Sequence, residues 1–336
     1  MPTVAIAGGT SPSLGRSIVQ GILTLSPNWH PIILSRSSSS SSTPVWLSPL
    51  LSSGKAELHH VSYTDHKRLV EALKGVHTVI AALGFSPGDG SWFSTQISLL
   101  NAAKEAGVKR FAPSEFGIGV LATPAIDALS GNVAVWEACE EACRDGEMEW
   151  TRFECGLFMN YLGFGVPERP GEEEGRAGLR EEALGGRERD GEWFYYTTRC
   201  SAELPVKTDG TFPRMTLTAV EDIGKFVAKS LDLPPGGWET TSYMVGETVR
   251  VDEVVRIAEQ VMGKKWEVET VSPEELEAKI KGLVLETDAG RKLWAQLALC
   301  YTKDAEGEGW FEGKLNGLFP DVQPLSVEGY LRKFYG

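Results

Sequence analysis

Short apolar runs alternate with stretches of helical periodicity through the first half of the chain. "TVAIAG" reads as a first strand and "PIILSR" (Pro31 to Arg36) as a second. A third opens in "AELHHVSY" near Ala56, a fourth spans "VHTVIAALG" from Val76 to Gly84, and a fifth begins at Lys109 in "KRFAPS". Between them, Leu14, Ile18 and Ile22 fall on one helix face, and "STQISLLNAAKEAG" gives a second helix that ends at Gly107. The helix "VAVWEACEEACRDG" precedes a sixth strand, "MEWTRFE". Nearly continuous apolar strands alternating with helices specify a parallel sheet covered on both faces. The fold class expected is α/β, a doubly wound parallel sheet of the Rossmann type with a smaller α+β lobe.

The pattern changes after about Leu162. "VPERPGEEEGRAGLREEALGGRERDGE" is mostly Gly, Glu and Arg, with few side chains able to fill a core. We expect a mobile insert at about 166–192, either a lid over a pocket or an insertion without a role. Order returns with "GEWFYYTTRCSAELPV", the helix "AVEDIGKFVAKSLDL", the strand "TSYMVG", the helix "VDEVVRIAEQVMG" and the strand "KWEVETV". The expected division is a nucleotide-binding domain over 1–155 and a substrate lobe over 156–336. The run Ser37 to Ser42 reads as a loop.

Composition narrows the function classes. A formal net charge of −13 disfavours both a nucleic-acid surface and docking on anionic membranes. No basic segment with an apolar run precedes the first strand, and no apolar stretch is long enough to cross a bilayer. Cys139, Cys143, Cys155, Cys200 and Cys300 form no CxxC pair and share no spacing with histidines, so no metal site is expected. Reduced thiols point to the cytoplasm.

The turn after the first strand, "AIAGGTSPSLGRSIV", opens an amphipathic helix, the context a phosphate-binding turn requires. Gly8 permits the tight turn and Gly15 lets the helix approach the strand. Thr10, Ser11 and Ser13 add hydroxyl donors where phosphates would lie, ahead of Leu14, and the helix dipole favours their charge. Small polar residues that merely cap a helix would look similar, as Ser13 alone shows. The second strand separates the cofactors. An NAD fold places an acid about 20 residues on, at the ribose 2′-hydroxyl. Here no Asp or Glu precedes Glu57, and the strand ends in Arg36, followed by Ser37. A guanidinium suits a 2′-phosphate, so NADP(H) is the cofactor expected.

The fifth strand continues as "VKRFAPSEFG". Together with the glycine turn, "LSR", "FECGLFMNYLG" and "AVEDIGKFVA", it resembles the NmrA-like and isoflavone-reductase-like branch of atypical short-chain dehydrogenases over most of the chain. That resemblance implies a doubly wound nucleotide domain, a small substrate lobe and NADP(H). Its members span reductases of plant phenolics, fungal secondary-metabolite enzymes and redox-sensing regulators. The usual turn is GxTGxxG. Here Ser11-Pro12 replaces the middle glycine and adds a residue, and Pro12 lacks an N–H to offer.

Reductases of this type carry a lysine early in the helix after "PSEFG". That position aligns with Asn132, and no lysine lies between Lys109 and Lys207. Asn132 can position a carbonyl or ribose hydroxyl but cannot titrate. The one Tyr-x-x-x-Lys string, Tyr63 to Lys67, lies on the adenine side and reads as chance. The architecture brings Leu83, Gly84 and Phe85 to the cofactor, with Cys155, Gly156 and Leu157 bordering the nicotinamide. Phe158, Asn160 and Tyr161 then face the substrate, and Asn132, Glu115 and Tyr161 are the catalytic candidates. Glu115 has plainer readings as a helix cap or a partner of Arg110. Three functions fit: a reductase of a C=N, C=C or C=O bond in a bulky ring-bearing molecule, a non-catalytic NADP(H) sensor with a protein partner, or a cyclase or isomerase using Glu115.

Overall fold

The computed structural model describes residues 1–36, 43–84, 91–163 and 194–336. Ser37, Phe85 and the expected insert at 166–192 lie outside them. Six strands form one sheet: β1 (Thr3–Ala7), β2 (His30–Ser35), β3 (Glu57–His60), β4 (Thr78–Ala81), β5 (Arg110–Ala112) and β6 (Glu149–Trp150). Their order is β3-β2-β1-β4-β5-β6, all parallel, with Ile6 paired to both Ile33 and Ile80. The order reverses between β1 and β4, which opens a crevice at their carboxyl ends. Helix α1 (Leu14–Leu25) buries Leu14, Ile18 and Ile22, the face expected from its spacing. The helices α2 (Ser48–Ser52), α3 (His66–Leu73), α4 (Ser91–Glu105) and α5 (Asn132–Cys143) complete the crossovers.

The expected sixth strand divides. Thr151 still donates its amide to Phe111 O at 3.2 Å, but the Arg152 amide goes to Thr240 O at 3.0 Å. From there β7 (Arg152–Glu154) pairs in parallel with β12 (Thr241–Tyr243), and the buried Thr151 and Ser242 hydroxyls meet at 2.8 Å. The chain then turns at Gly156 (φ +71°), and β8 (Leu157–Phe158) joins β11 (Arg214–Thr218) and β13 (Glu247–Arg250).

Helix α6 (Val220–Leu231) follows β11 and packs on α1, although it lies far along the chain. The two backbones touch: a Cβ on Gly21 would lie 2.3 Å from Gly224 O. Ser17 Oγ donates to Val220 O at 2.7 Å across the same contact. Phe226, Trp238 and Phe319 share one core with Ile6, Ile18 and Ile33, so later segments complete the core of the six-stranded sheet. The far end of α6 is held by Arg110, whose buried guanidinium donates to Leu231 O, Leu233 O and Pro234 O at 2.7–3.0 Å. Its Nε donates to Glu149 at 2.7 Å. Arg110 is thus paired with Glu149, not Glu115.

A second core gathers Tyr195, Leu204, Met215, Tyr301 and Tyr330. Around it lie β9 (Tyr195–Tyr196), β10 (Ser201–Pro205), β14 (Glu267–Val271) and helices α7 (Val251–Met262), α8 (Pro273–Lys281), α9 (Leu285–Thr302), α10 (Lys314–Leu318) and α11 (Val327–Tyr335). Among the described residues, no helix is long and apolar enough to cross a membrane.

Candidate functional site

The glycine turn sits at the point where the strand order reverses. Gly8 takes φ +81°, and a Cβ there would lie 2.2 Å from Ala82 O, so only glycine fits between the ends of β1 and β4. Inside the turn, the Ser11 amide donates to Gly8 O at 3.1 Å and the Arg16 amide to Ser11 O at 2.9 Å. This places Thr10, Ser11, Pro12 and Ser13 over the start of α1, where Gly15 packs against Gly8 O. Arg36 is exposed at the end of β2. Between them lies Tyr63, buried, its hydroxyl donating to Leu34 O at 3.3 Å and accepting from the Gly8 backbone. Burial pushes Tyr63 up to about 12 against the lowering effect of Arg36. The tyrosine of the Tyr-x-x-x-Lys string therefore buttresses the turn, a role its spacing did not signal.

Two strand ends frame the crevice beyond the turn. Ser114 Oγ accepts from the Leu83 amide at 3.0 Å and donates to Leu83 O at 3.1 Å, and Gln96 accepts from the Ser114 amide at 2.7 Å. Leu83 is half-buried and Gly84 exposed. Turn hydroxyls, a helix N-terminus and a guanidinium, with no carboxylate among the first 56 residues, make a donor set suited to phosphates.

A polar cluster lies past β5. Asn132 and Trp136 are one turn apart on α5, and both reach Glu115: Asn132 Nδ2 donates to Oε2 at 2.9 Å and Trp136 Nε1 to Oε1 at 2.7 Å. Arg152 stacks over Trp136 at 4.4 Å and donates to Thr241 Oγ1 at 2.9 Å. Burial and the nearby Glu154 carboxyl raise Glu115 well above the usual carboxylate range. The structure thus joins Asn132 and Glu115 into one unit.

The segment after β7 is tied down more than it is open. Cys155 is buried, with Sγ donating to Phe116 O at 3.2 Å and its carbonyl accepting from Thr218 Oγ1 at 2.6 Å. Leu157 is buried in the second core. Asn160, 2% exposed, accepts from the Val220 amide at 2.8 Å and so caps the first turn of α6. Phe158 stacks on Tyr161 at 6.1 Å, and Tyr161 meets Trp294 edge-on at 5.6 Å. Phe194 continues this wall against Trp294. Burial pushes Tyr161 up to about 12. Phe194 lies in "GEWFYYTTRCSAELPV", where order was expected to return, whereas Trp294 comes from a stretch to which the sequence pattern gives no element.

Oxidoreductase BOA1 of Botryotinia fuckeliana is 31% identical over 274 residues, 79% of this chain and 78% of its own. Phenylcoumaran benzylic ether reductase IRL1 of Ginkgo biloba is 27% identical over 98% of both chains. Among solved structures, AtPrR2 with NADP+ and (+)pinoresinol superposes with a TM-score of 0.70 at 24% identity, covering 99% of this chain and 98% of that one. The leucoanthocyanidin reductase–NADPH complex from Vitis vinifera gives 0.70 at 19%, over 99% of both chains. The profile of the NmrA-like family matches residues 2–173. With its doubly wound sheet and reversed strand order, the chain belongs to the NmrA-like family.

Proposed function

We propose that this protein is an NADPH-dependent reductase that acts on a C=N, C=C or C=O bond of a bulky, ring-bearing small molecule, in secondary metabolism. The observation that carries the reading is the turn at Gly8 set opposite Arg36 in a chain whose first acid is Glu57. The relatives named as oxidoreductases and reductases support the reaction class.

Gly8, Thr10, Ser11, Ser13 and Gly15 would hold the pyrophosphate and Arg36 the 2′-phosphate. When bound, the cofactor supplies hydride. The remaining work belongs to this chain. Leu83 and Gly84 line the crevice beside the turn, and Phe158 and Tyr161 present aromatic faces to a ring. Asn132 stands where the family's reductases carry lysine. Its amide is held by Glu115 and gives or accepts hydrogen bonds without changing charge. A substrate already activated, as an iminium is, needs little acid assistance and suits that arrangement.

The same feature favours a second reading, a sensor that binds NADP(H) without turnover and passes the signal to a protein partner. Calorimetric titration of NADPH and NADH, followed by NADPH oxidation with a panel of ring-bearing imines, enones and ketones, separates the two. Substrate-dependent oxidation establishes the reductase, and tight binding with none across the panel favours the sensor.

A further inference from the structure

Glu154 is 0% exposed, on the strand that leads into the site. Its backbone bridges Gly117, two residues beyond Glu115, and its Oε2 accepts from the Gly119 amide at 3.0 Å. Gly117 lies flat over the carboxyl, since a Cβ there would come within 2.9 Å of Oε2. Glu154 Oε1 and Asn132 Oδ1 are both buried, with no hydrogen-bond partner among the described residues. A dry carboxylate oxygen without a donor is costly when ionised. The cation that acts on both carboxyls is Arg152, one positive charge for two acids.

We propose that Glu115 and Glu154 form a carboxyl pair that holds one proton in common and delivers it through Glu115, in place of the ammonium Asn132 cannot provide. This rests on the reductase reading. Glu154 acts through Glu115 and is a positioning residue. Reduction of a C=O bond or a neutral C=N bond adds hydride at carbon and a proton at the heteroatom, whereas an iminium takes up the hydride alone and leaves the proton on the pair. In the former case the proton leaves the pair as its O–H bond breaks and the heteroatom–hydrogen bond forms. The pair passes from one negative charge to two, Trp136 Nε1 and Asn132 Nδ2 hold the Glu115 carboxylate, and solvent returns the proton. Burial raises Glu154 to about 7, and burial with repulsion from Glu154 raises Glu115 well above the usual carboxylate range. The two carboxyls in turn act on Cys139, Cys155 and Tyr243, each raised chiefly by burial and so neutral across that range.

Infrared difference titration of the cofactor-free protein tests the pair directly. The expected result is a carboxylic-acid signal at neutral pH that moves to lower pH in Glu154→Gln. The alkaline limb of substrate-dependent NADPH oxidation should move the same way, by about one pH unit, a tenfold change in the proton equilibrium. If Glu154→Gln fails to fold, Glu115→Gln reads the same coupling from the other side, as the remaining acid then titrates lower. Fully ionised carboxyls at neutral pH overturn the proposal, and so does a pH–rate limb unmoved in Glu154→Gln. A clear infrared signal in a protein that neither binds nor oxidises NADPH instead overturns the reductase reading, and the delivery role falls with it.

Discussion

Asn132 gives its amide nitrogen to Glu115 Oε2 across 2.9 Å, which fixes the orientation of the amide and turns its oxygen away from Glu115. Asn132→Ala removes one of two donors to a carboxyl held in a largely dry setting. The cost of leaving such a group short of a partner is about 1–3 kcal/mol, to be read as a lower midpoint in urea unfolding. An equally stable variant would mean that the pair contributes nothing net to the fold.

Arg36→Ala should weaken NADPH and leave NADH unchanged. A charge-assisted bond to phosphate contributes about 1.5–3 kcal/mol, or roughly ten- to a hundredfold in Kd. Calorimetry with both cofactors checks it, and equal losses for the two would move the 2′-phosphate away from Arg36.

Gly8→Ala meets two obstacles, φ +81° and the Ala82 carbonyl 2.2 Å from the new methyl. Strained backbone of this kind costs on the order of 1–3 kcal/mol, before the turn is displaced. The expected outcome is a lower Tm and no measurable NADPH binding in a protein that still shows α/β circular dichroism.

Glu154→Gln should flatten the pH dependence of stability. The free carboxyl loses its proton from about 4.5 and the buried one only near 7. Between these values the unfolded chain binds fewer protons than the folded one, so stability falls as pH rises. A difference of that size is worth about 3 kcal/mol, present below the lower value and lost above the upper. Glutamine has no such loss. Chemical denaturation at about pH 5 and about pH 8 should show a smaller drop in the variant than in the wild type. Parallel curves would show that Glu154 is ionised in the fold.

Strands β1, β2 and β4 were legible because each carries a run of apolar residues too short for a helix, whereas β3, Glu-Leu-His-His, was legible only from the longer stretch "AELHHVSY". The break at Thr151 was not. "MEWTRFE" gives no local sign that the chain changes partner, because the second partner, Thr241–Tyr243, arrives ninety positions later. Glu154 went unnoticed for the same reason, since a glutamate in an alternating strand looks like a surface residue until both faces are covered. Asn160, expected beside the substrate, also accepts from the first turn of α6, a contact between residues sixty positions apart that no local pattern signals. The C-terminal helices did leave a signal: Ser272-Pro273-Glu274-Glu275 is a capping box with proline at the first helical position, and it begins α8.

The grip of α6 on α1 also sets the order in which the molecule can be made. Ser17 emerges from the ribosome 203 residues before its partner Val220. At about 5–20 residues per second, that delay is on the order of tens of seconds. Throughout it, the face of α1 that carries Gly21 has no mate, and the nascent glycine turn rests on a half-covered helix. The half that carries the glycine turn is made before α6 and is therefore among the last parts of the protein to be finished.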